Sequence, residues 1–361
     1  MIYLDNAATT APSQSVLKAV QASLTNFYNP SAIYPPARLV KLAIEKARCQ
    51  VAQAINADPS QIFFTSGATE SNNIVRRAFN YMICSNIEHP SIKGIEFNIF
   101  SDNWQSSLTS IIEALTQEKP KDKSIVSLQW VNNETGKILP VKEACKLAHS
   151  LGLPFHTDAT QAFSHIPIDV KDLDCDFLSL SAHKWHGLKG VGVLYIKEPD
   201  KFKSDIVGGS QEKGIRPGTE NVIGIISAGV AAERHNFNVD EYKYATTLFT
   251  HLTTRLRNEM PKEYISNHSY NFKEYIPYIF NFSIKGVEGE SLLLLLGNRG
   301  ICVSAGSACH SGELGKSKVI AAMGVPDDYA YGTIRVSMSD ETDISHIDVF
   351  CDALFEILRV L

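Results

Sequence analysis

Short apolar runs alternate with amphipathic segments over the first part of the chain. The runs Ile62–Phe64, Ser124–Trp130 and Phe155–Thr157 have the length and composition of buried β-strands. In Ser66–Phe79 and Val141–Leu151, apolar residues recur instead at the spacing of a helix face. Strands that alternate with helices in this way favour a parallel sheet covered by helices on both faces. The pattern therefore predicts an α/β fold with a mostly parallel sheet.

A second pattern occupies the C-terminal part of the chain. It contains predicted strands such as Tyr278–Ile284, predicted helices such as Glu288–Leu296, and a closing helix with apolar residues on one side. Strands and helices in this order are typical of a compact α+β domain. We therefore expect a large domain over residues 13–240 and a smaller α+β domain formed by residues 1–12 and 241–361.

The composition of the 361 residues is typical of a soluble globular enzyme, since 44% are hydrophobic and 20% are charged. The formal net charge of −5 and the absence of a long basic run argue against nucleic acid as the main ligand. No apolar run is long enough to span a bilayer, and no signal-like segment follows Met1. The seven cysteines include no Cys-x-x-Cys pair. We therefore expect no metal site and a reduced, cytoplasmic setting.

Lys184 lies in a short connection between two apolar runs, Asp176–Leu180 and Val191–Ile196, which are both predicted as buried strands. An ammonium group is costly to desolvate there, so the pKa of Lys184 is expected to fall below its usual value. A lysine in that state can act as a nucleophile toward a carbonyl group. Lys184 is therefore a candidate for bonding covalently to an aldehyde cofactor.

Two other predicted strands also end in groups suited to a cofactor. Asp158 directly follows Phe155–Thr157, with Gln161 three residues later, and Thr65–Glu70 follows the first strand and opens a predicted helix. A turn with glycine at a helix start presents backbone N–H groups that can bind phosphate. Because ligands of parallel sheets bind at the carboxyl ends of the strands, we expect these groups to meet. A phosphate site, a carboxylate and an amine are what pyridoxal 5′-phosphate (PLP) requires.

Short motifs follow one another along nearly the whole chain. They are Tyr3–Thr10, Thr65–Ser71, Glu88–His89, Val131–Glu134, His156–Gln161, Ser181–Lys184, Gly208–Glu212, Arg216–Asn221, Ser304–Cys309 and Ile334–Ser337. In type and order they are similar to the motifs of the NifS-like cysteine desulfurases, which are PLP enzymes of fold-type I in the class V aminotransferase group. The resemblance implies that the large domain binds PLP and that individual residues have assigned roles.

The first group of implied roles concerns the cofactor. Lys184 would bond covalently to PLP and later move the α-proton of the substrate. Asp158 would pair with the pyridine nitrogen, and Gln161 would hydrogen-bond the ring oxygen. His89 would stack on the ring and carry protons, since its reference pKa is close to neutral. The phosphate would be held by Ala68, Thr69, Ser181 and His183, with Thr219 reaching across from a second subunit.

The second group of implied roles concerns the substrate. Arg335 would bind the substrate carboxylate, because its planar fork suits a bidentate contact. Asn133 would lie near both cofactor and substrate. Cys309, in the small-residue segment Gly306–Gly312, would attack the substrate sulfur and keep it as a persulfide. Asp5 is assigned no chemistry and is expected only to cap a turn.

The resemblance implies a homodimeric cysteine desulfurase that converts L-cysteine to L-alanine and passes the sulfur to an acceptor protein. The dimer follows from the role of Thr219 in the phosphate site of the other subunit. The acceptor stays open between an iron–sulfur scaffold, a tRNA-thiolation enzyme, a DNA-sulfur-modifying system and another carrier. Three other functions stay open: a selenocysteine lyase, a class V aminotransferase, and a sulfur-relay binding protein without a working cofactor site.

Two details depend on local packing. Cys49, Cys145, Cys302 and Cys351 are expected to be core residues, because a cysteine without activating neighbours behaves as a small hydrophobe. Ala182 stands where the family usually has glycine, and its methyl group fits only if φ is negative there.

Overall fold

A computed structural model describes residues 1–119, 121–260, 264–266, 271–305 and 316–360. The chain divides into two compact units. Unit 1 comprises Met1–Thr10, Val131–Ile138 and Asn238–Leu361, and unit 2 comprises Ala11–Trp130 and Leu139–Phe237.

Strands and helices follow one another along most of the chain. The strands are β1 (Ile2–Tyr3), β2 (Ile62–Thr65), β3 (Tyr81–Ser85), β4 (Ile95–Phe97), β5 (Ser124–Ser127), β6 (Phe155–Asp158), β7 (Phe177–Ser181), β8 (Gly192–Ile196), β9 (Tyr264–Ser266), β10 (Ile279–Ile284), β11 (Ile301–Cys302), β12 (Ser304–Ala305) and β13 (Thr333–Ser337). The helices are α1 (Gln14–Ser23), α2 (Pro35–Ala54), α3 (Ala68–Ala78), α4 (Trp104–Glu118), α5 (Val141–Ser150), α6 (Val170–Leu173), α7 (Val222–Arg234), α8 (Val239–Glu259), α9 (Gly289–Asn298), α10 (Lys318–Ala322), α11 (Asp327–Ala330) and α12 (Ile344–Leu358). Within the described part of the chain, no helix has the length and apolarity needed to cross a membrane.

Unit 2 is built around a sheet with the strand order β2-β8-β7-β6-β5-β3-β4. From β7 to β4 the neighbours are parallel, whereas β8 is antiparallel to both β7 and β2. The residues of β2, β5, β6, β7 and β8 are buried throughout, as expected for strands covered on both faces. The predicted α/β class with a mostly parallel sheet is confirmed.

Unit 1 contains a sheet in which β12, β13, β10 and β9 are antiparallel neighbours, and a separate parallel pair of β1 and β11. Its core joins apolar residues of β10, α8 and α12, among them Phe282, Leu252 and Phe350. Asp343 and His346 form a capping box that starts α12. The unit therefore has the α+β character that the sequence pattern predicts.

Several element bounds differ from the sequence pattern. The run Ser124–Trp130 is a strand only as far as Ser127. The pattern did not predict β3 or β4, and β4 is a short strand in which Ile95 and Glu96 are exposed. A strand this short with mixed burial has no clear period of two along the sequence.

The segment Val131–Ile138 belongs to unit 1, although we expected it in the large domain. Its backbone pairs with Glu274 and Ile276, since Ile138 N–H donates to Glu274 O at 2.6 Å and Ile276 N–H donates to Gly136 O at 2.9 Å. These pairings are made over more than 100 residues of chain, so the local sequence does not indicate them.

The expected core position is confirmed for Cys145 and Cys351, which are buried. It is wrong for Cys49, which is exposed on α2. Cys49 lies two residues beyond the buried Ala47, and two helical residues are separated by about 200° around the axis. Cys302 is half-buried.

Candidate active site

The turn between β2 and α3 lies beside the end of β7. Gly192 is the direct partner of both Thr65 and Ser181 in the sheet. A β-carbon on Gly192 would lie 2.5 Å from backbone atoms of Gly67, so a glycine is needed for the turn to approach this closely. The Ser181 hydroxyl in turn lies 3.7 Å from the position that a β-carbon on Gly67 would take. The sheet register thus places a serine hydroxyl next to a helix start.

Ala68 and Thr69 occupy the first turn of α3. The N–H of Ser71 donates back to Gly67 O at 3.1 Å, which closes that first turn. N–H groups earlier in the turn have no partner inside the helix, and the helix dipole is positive at this end. The predicted phosphate ligands Ala68, Thr69 and Ser181 are therefore close together in unit 2.

Lys184 follows β7 in the short 3-10 helix Ala182–Lys184, and both His183 and Lys184 are half-buried. Ala182 has a helical, negative φ, so its methyl group is accommodated as the sequence required. Burial and the positive charges of Lys184 and Lys189 lower the pKa of His183 to about 4. The His183 imidazole is therefore neutral at neutral pH and can still donate a hydrogen bond.

Asp158 ends β6 with a buried carboxylate. Its Oδ2 accepts a hydrogen bond from Asn72 Nδ2 at 2.8 Å, and its Oδ1 accepts one from the backbone N–H of Thr160 at 3.0 Å. Gln161, which is also buried, follows three residues later. The strand end thus presents a negative charge oriented by two neutral donors.

His89 lies in the loop after β3. Its Nδ1 accepts the backbone N–H of Ser91 at 3.2 Å and lies 2.8 Å from Ser91 Oγ. Burial lowers the pKa of His89, the charge of Asp158 opposes this shift, and the charge of Lys184 adds to it. A neutral imidazole can accept a proton, and the role of His89 as a proton carrier stays a prediction.

Glu88 fixes the same loop to the neighbouring strand end. Its carboxylate accepts hydrogen bonds from Ser85 Oγ at 2.5 Å and from the backbone N–H of Gln129 at 3.0 Å. The Gln129 side-chain amide also donates to the carbonyl of Ile87. Burial raises the pKa of Glu88 to about 8, although both donors act to lower it. The loop before His89 is therefore held between β3 and the chain that follows β5.

Buried polar atoms without partners lie on residues around Asp158. Asn72 Oδ1, Thr157 Oγ1 and Thr160 Oγ1 have no hydrogen-bond partner among the described residues. Because buried polar atoms are normally satisfied, their presence indicates a site for a polar ligand. Unit 2 also offers N–H groups for a phosphate, a carboxylate for a ring nitrogen and a lysine for an aldehyde. This set of groups fits PLP.

Arg335 on β13 is a buried charged residue of unit 1. Its Nη2 donates to Asp5 Oδ1 at 2.7 Å, and its Nη1 donates to the backbone oxygen of Asn133 at 2.8 Å. Its Nε has no hydrogen-bond partner in the part of the chain that the structure describes. The guanidinium therefore combines two engaged nitrogens with a buried one that has no partner among the described residues.

The expectation that Asp5 only caps a turn is wrong. The residue forms an ion pair with Arg335, and their side chains are 20% and 7% exposed. Asp5 also makes a parallel β-bridge with Ser337, on the strand that carries Arg335. The chain leaving β1 thus places the carboxylate beside the predicted substrate-binding arginine.

Glu134 ties the segment Val131–Ile138 to the rest of unit 1. Its carboxylate accepts a hydrogen bond from Ser317 Oγ at 2.5 Å, and Ser317 is the N-cap of α10. Its backbone oxygen accepts a hydrogen bond from Asn281 Nδ2 at 3.1 Å. Burial raises the pKa of Glu134 to about 7, against the effects of Ser317 and of Arg335.

Similarity to known proteins extends over nearly the whole chain. Residues 2–350 match the Aminotransferase class-V family. The chain belongs to this family. "Cysteine desulfurase IscS" of Dictyoglomus turgidum is 38% identical, covering 100% of this chain and 95% of its own length. "Cysteine desulfurase 2" of Trichormus variabilis is 37% identical, covering 96% of this chain and 90% of its own length. The solved structure of a NifS-like protein from Rickettsia africae has a TM-score of 0.88 and 30% identity over 99% of both chains.

These relatives confirm the family resemblance that the motifs predict. Class-V aminotransferases of the cysteine desulfurase type are PLP-dependent, which agrees with the groups found in unit 2. Unit 2 contains the predicted residues Ala68, Thr69, His89, Asp158, Gln161, Ser181, His183 and Lys184, and unit 1 contains Asn133 and Arg335. Thr219 is exposed in unit 2, and Cys309 lies outside the described residues.

Five residues of these two clusters were missed by sequence reasoning: Asp5, Asn72, Glu88, Ser91 and Glu134. Glu88 and Glu134 lie inside the quoted motifs, so their position next to His89 and Asn133 was an available signal. Asn72 lies one helical turn after Ala68, and a polar residue on the buried face of α3 was a second signal. Nothing in the local sequence marks Ser91.

Proposed function

We propose that this member of the class-V aminotransferase family is a PLP-dependent cysteine desulfurase. It converts L-cysteine to L-alanine and leaves the sulfur as a persulfide on Cys309. The observation that carries the proposal is the position of Lys184 directly after β7, on the sheet whose other strands end at Asp158 and at the turn before α3. The names of the two relatives, both cysteine desulfurases, support this enzyme class.

PLP would be held by groups of unit 2. Its phosphate would accept hydrogen bonds from Ala68, Thr69, Ser181 and His183, and Thr219 from a second subunit would complete this site. Gln161 would donate to the ring oxygen. When bound, PLP supplies an aldehyde carbon and an electron-withdrawing ring. Because Thr219 would come from a second subunit, the protein would act as a homodimer. Its location would be cytoplasmic.

Asp158 would keep the ring nitrogen of PLP protonated. Its two oxygens each accept one hydrogen bond, from Asn72 and from the N–H of Thr160, and each oxygen has a further lone pair. The carboxylate can therefore accept a proton-bearing nitrogen without losing the donors that orient it.

Lys184 and His89 would carry the protons of the reaction. The Lys184 amine would bond to the aldehyde carbon and later remove the α-proton of the substrate. His89, whose pKa is lowered by burial, would be neutral at neutral pH and able to accept and return a proton. Two basic groups in one unit allow a proton to be taken from one atom and delivered to another.

In unit 1, Arg335 would bind the substrate carboxylate, with Asn133 beside it. Within the described ranges of the chain the Nε of this guanidinium has no hydrogen-bond partner, and its Nη2 is held by Asp5. A bidentate contact uses two neighbouring nitrogens, so the substrate carboxylate would have to compete with Asp5 for part of the fork.

The transfer of sulfur from L-cysteine to Cys309 needs no added oxidant or reductant. The Cys309 thiolate forms a bond to the substrate sulfur, and the carbon–sulfur bond of the substrate breaks. The electron pair of that bond stays with carbon, which takes up a proton and leaves as alanine. One cysteine and one enzyme thiol thus give one alanine and one persulfide, whose outer sulfur then passes to an acceptor protein.

The test is the release of alanine and sulfide from L-cysteine with a thiol reductant. We compare the unaltered chain with Cys309→Ser and with Cys49→Ser, a control at an exposed cysteine on α2. We expect Cys309→Ser to keep its bound PLP and release no alanine, and Cys49→Ser to match the unaltered chain. Alanine release at the normal rate from Cys309→Ser would overturn the role of Cys309. If no variant releases alanine although PLP is bound, the proposed activity is wrong, and selenocysteine is the next substrate to test.

A further inference from the structure

A chain of hydrogen bonds connects Asp158 to His89 in unit 2. Asn72 Nδ2 lies 2.8 Å from Asp158 Oδ2 and 2.8 Å from Ser91 Oγ. Ser91 Oγ in turn lies 2.8 Å from His89 Nδ1. Asn72 is fully buried and Asp158 is nearly so. The predicted partner of the ring nitrogen and the predicted proton carrier are therefore joined through two residues to which no role has been assigned.

The direction of these hydrogen bonds follows from the groups that can only donate. The Asn72 amide nitrogen has two hydrogens, which go to the Asp158 carboxylate and to Ser91 Oγ. The opposite orientation of the amide would turn its oxygen toward the carboxylate, where two acceptors would face each other. The Ser91 oxygen thus accepts from Asn72, and its own hydrogen is available to His89 Nδ1.

His89 Nδ1 also faces a backbone N–H, a group that can only donate a hydrogen bond. The backbone N–H of Ser91 points at Nδ1 from 3.2 Å. A nitrogen that receives a backbone N–H and a hydroxyl hydrogen must offer its lone pair to them, so it cannot itself carry a hydrogen.

We propose that Asn72 and Ser91 are positioning residues that hold the neutral His89 ring with its proton on Nε2. Ser91 sets the tautomer from one side of the ring, and Asn72 fixes Ser91 by anchoring it to Asp158. The charged groups that act on His89 are Asp158 and Lys184. The catalytic meaning rests on the proposed function: His89 then presents an N–H donor at Nε2, and it takes up a further proton only at Nδ1, where that proton displaces the hydrogen bonds from Ser91.

The test measures the ring nitrogens of His89 by NMR in the full-length chain labelled with ¹⁵N-histidine, with and without bound PLP. The nitrogen chemical shifts report which nitrogen carries a hydrogen, and His89→Gln identifies the signals. We expect a single neutral form with the proton on Nε2. A wild-type spectrum with the hydrogen on Nδ1 would overturn the proposal without any variant having to fold.

Variants then separate the two positioning residues. Ser91→Ala removes the hydroxyl donor, so we expect the proton-binding constant of His89 to rise roughly three- to tenfold. Ser91→Thr keeps a hydroxyl and should restore the wild-type value. Asn72→Ala leaves both donors of Ser91 in place and should shift His89 in the same direction by less. Unchanged titrations in Ser91→Ala, or in Asn72→Ala, would exclude that residue from the proposal.

Asn73→Ala is the matched control. Asn73 neighbours Asn72 on α3, but its amide donates to the backbone oxygen of Thr69 on the exposed side of the helix. We expect the His89 signals of Asn73→Ala to equal those of the wild type. A shift as large as that of Ser91→Ala would mean that disturbance of α3 alone explains the changed titration of His89. All spectra are recorded without substrate. The test of the His89 tautomer therefore stays valid even if the protein releases no alanine from L-cysteine.

Discussion

Asp158 in unit 2 and Arg335 in unit 1 are both buried charged residues at strand positions, but they are held in different ways. Asp158 is oriented by an amide and a backbone N–H, which are neutral donors. Arg335 is paired with the carboxylate of Asp5. A carboxylate held by neutral donors keeps its full charge for a ligand, whereas an arginine paired with a carboxylate must exchange that partner when a substrate carboxylate binds.

The two clusters also differ in how the chain assembles them. In unit 2, the residues lie at the carboxyl ends of strands of one sheet and in the turns that follow, so each short motif contributes several of them. In unit 1, Asp5 and Asn133 meet Arg335 across 330 and 202 residues of chain. The unit 2 cluster depends on the strand ends of one sheet. The unit 1 cluster depends on how segments that are distant along the chain pack together.

The largest expected effect tests the unit 2 cluster. Lys184→Ala should lower alanine release from L-cysteine at least roughly 10³-fold, because it removes both the covalent attachment and a proton carrier. It should also remove the absorbance of lysine-bound PLP. Lys189→Ala, at an exposed lysine of the same connection, is the control and should keep both. Sustained turnover in Lys184→Ala would break the assignment of this cluster.

The next effect tests the unit 1 cluster. Arg335→Lys should lower kcat/KM for L-cysteine roughly 10- to 100-fold, mainly through KM, because a point charge replaces a planar fork. The PLP spectrum should stay unchanged, since the residue is assigned to substrate rather than cofactor. Steady-state kinetics with a spectrum of each variant gives both readouts.

Asp5→Asn sharpens this result. If Asp5 competes with the substrate carboxylate, its neutral amide should release the guanidinium and lower KM a few-fold. A KM raised as far as in Arg335→Lys would show that Asp5 orients the arginine instead. Fully unchanged kinetics in both variants would exclude Arg335 from substrate binding.

The smallest effect concerns stability and pH. Because the pKa of Glu134 is raised to about 7 in the fold, the protonated carboxyl is favoured there. Its stabilising contribution is complete below the ordinary glutamate pKa and is lost as pH rises through about 7. Glu134→Gln stays neutral at every pH. Between about pH 5 and pH 8, the free energy of unfolding of the wild type should therefore fall by about 2 kcal/mol relative to that of Glu134→Gln.

Denaturant unfolding at the two pH values checks this difference. Glu290→Gln, at an exposed position on α9, is the control and should follow the wild type at both pH values. Parallel pH profiles for Glu134→Gln and the wild type would mean that burial of Glu134 does not control its ionisation.

The family and the α/β class could be predicted because the signals are local. A buried run such as Phe177–Ser181, or a turn such as Thr65–Thr69, can be recognised from the types of a few consecutive residues. Short or mixed strands such as β4 were missed because their burial comes from neighbours in the sheet rather than from their own pattern. Cys49 was misplaced because a residue type alone does not say which side of a helix faces the core.

By itself, the sequence determined the kinds of chemistry that this protein carries: an amine after a buried strand, a carboxylate after another, and N–H groups at a helix start. Each of these follows from residue type and local backbone preference. Only the tertiary structure decided which partner each charged group has, as in the pairing of Arg335 with Asp5 and the connection of Asp158 to His89 through Asn72 and Ser91. The physical reason is that hydrogen bonds act over about 3 Å in space, while Asn72 and Asp158 are 86 residues apart along the chain and Asp5 and Arg335 are 330 residues apart.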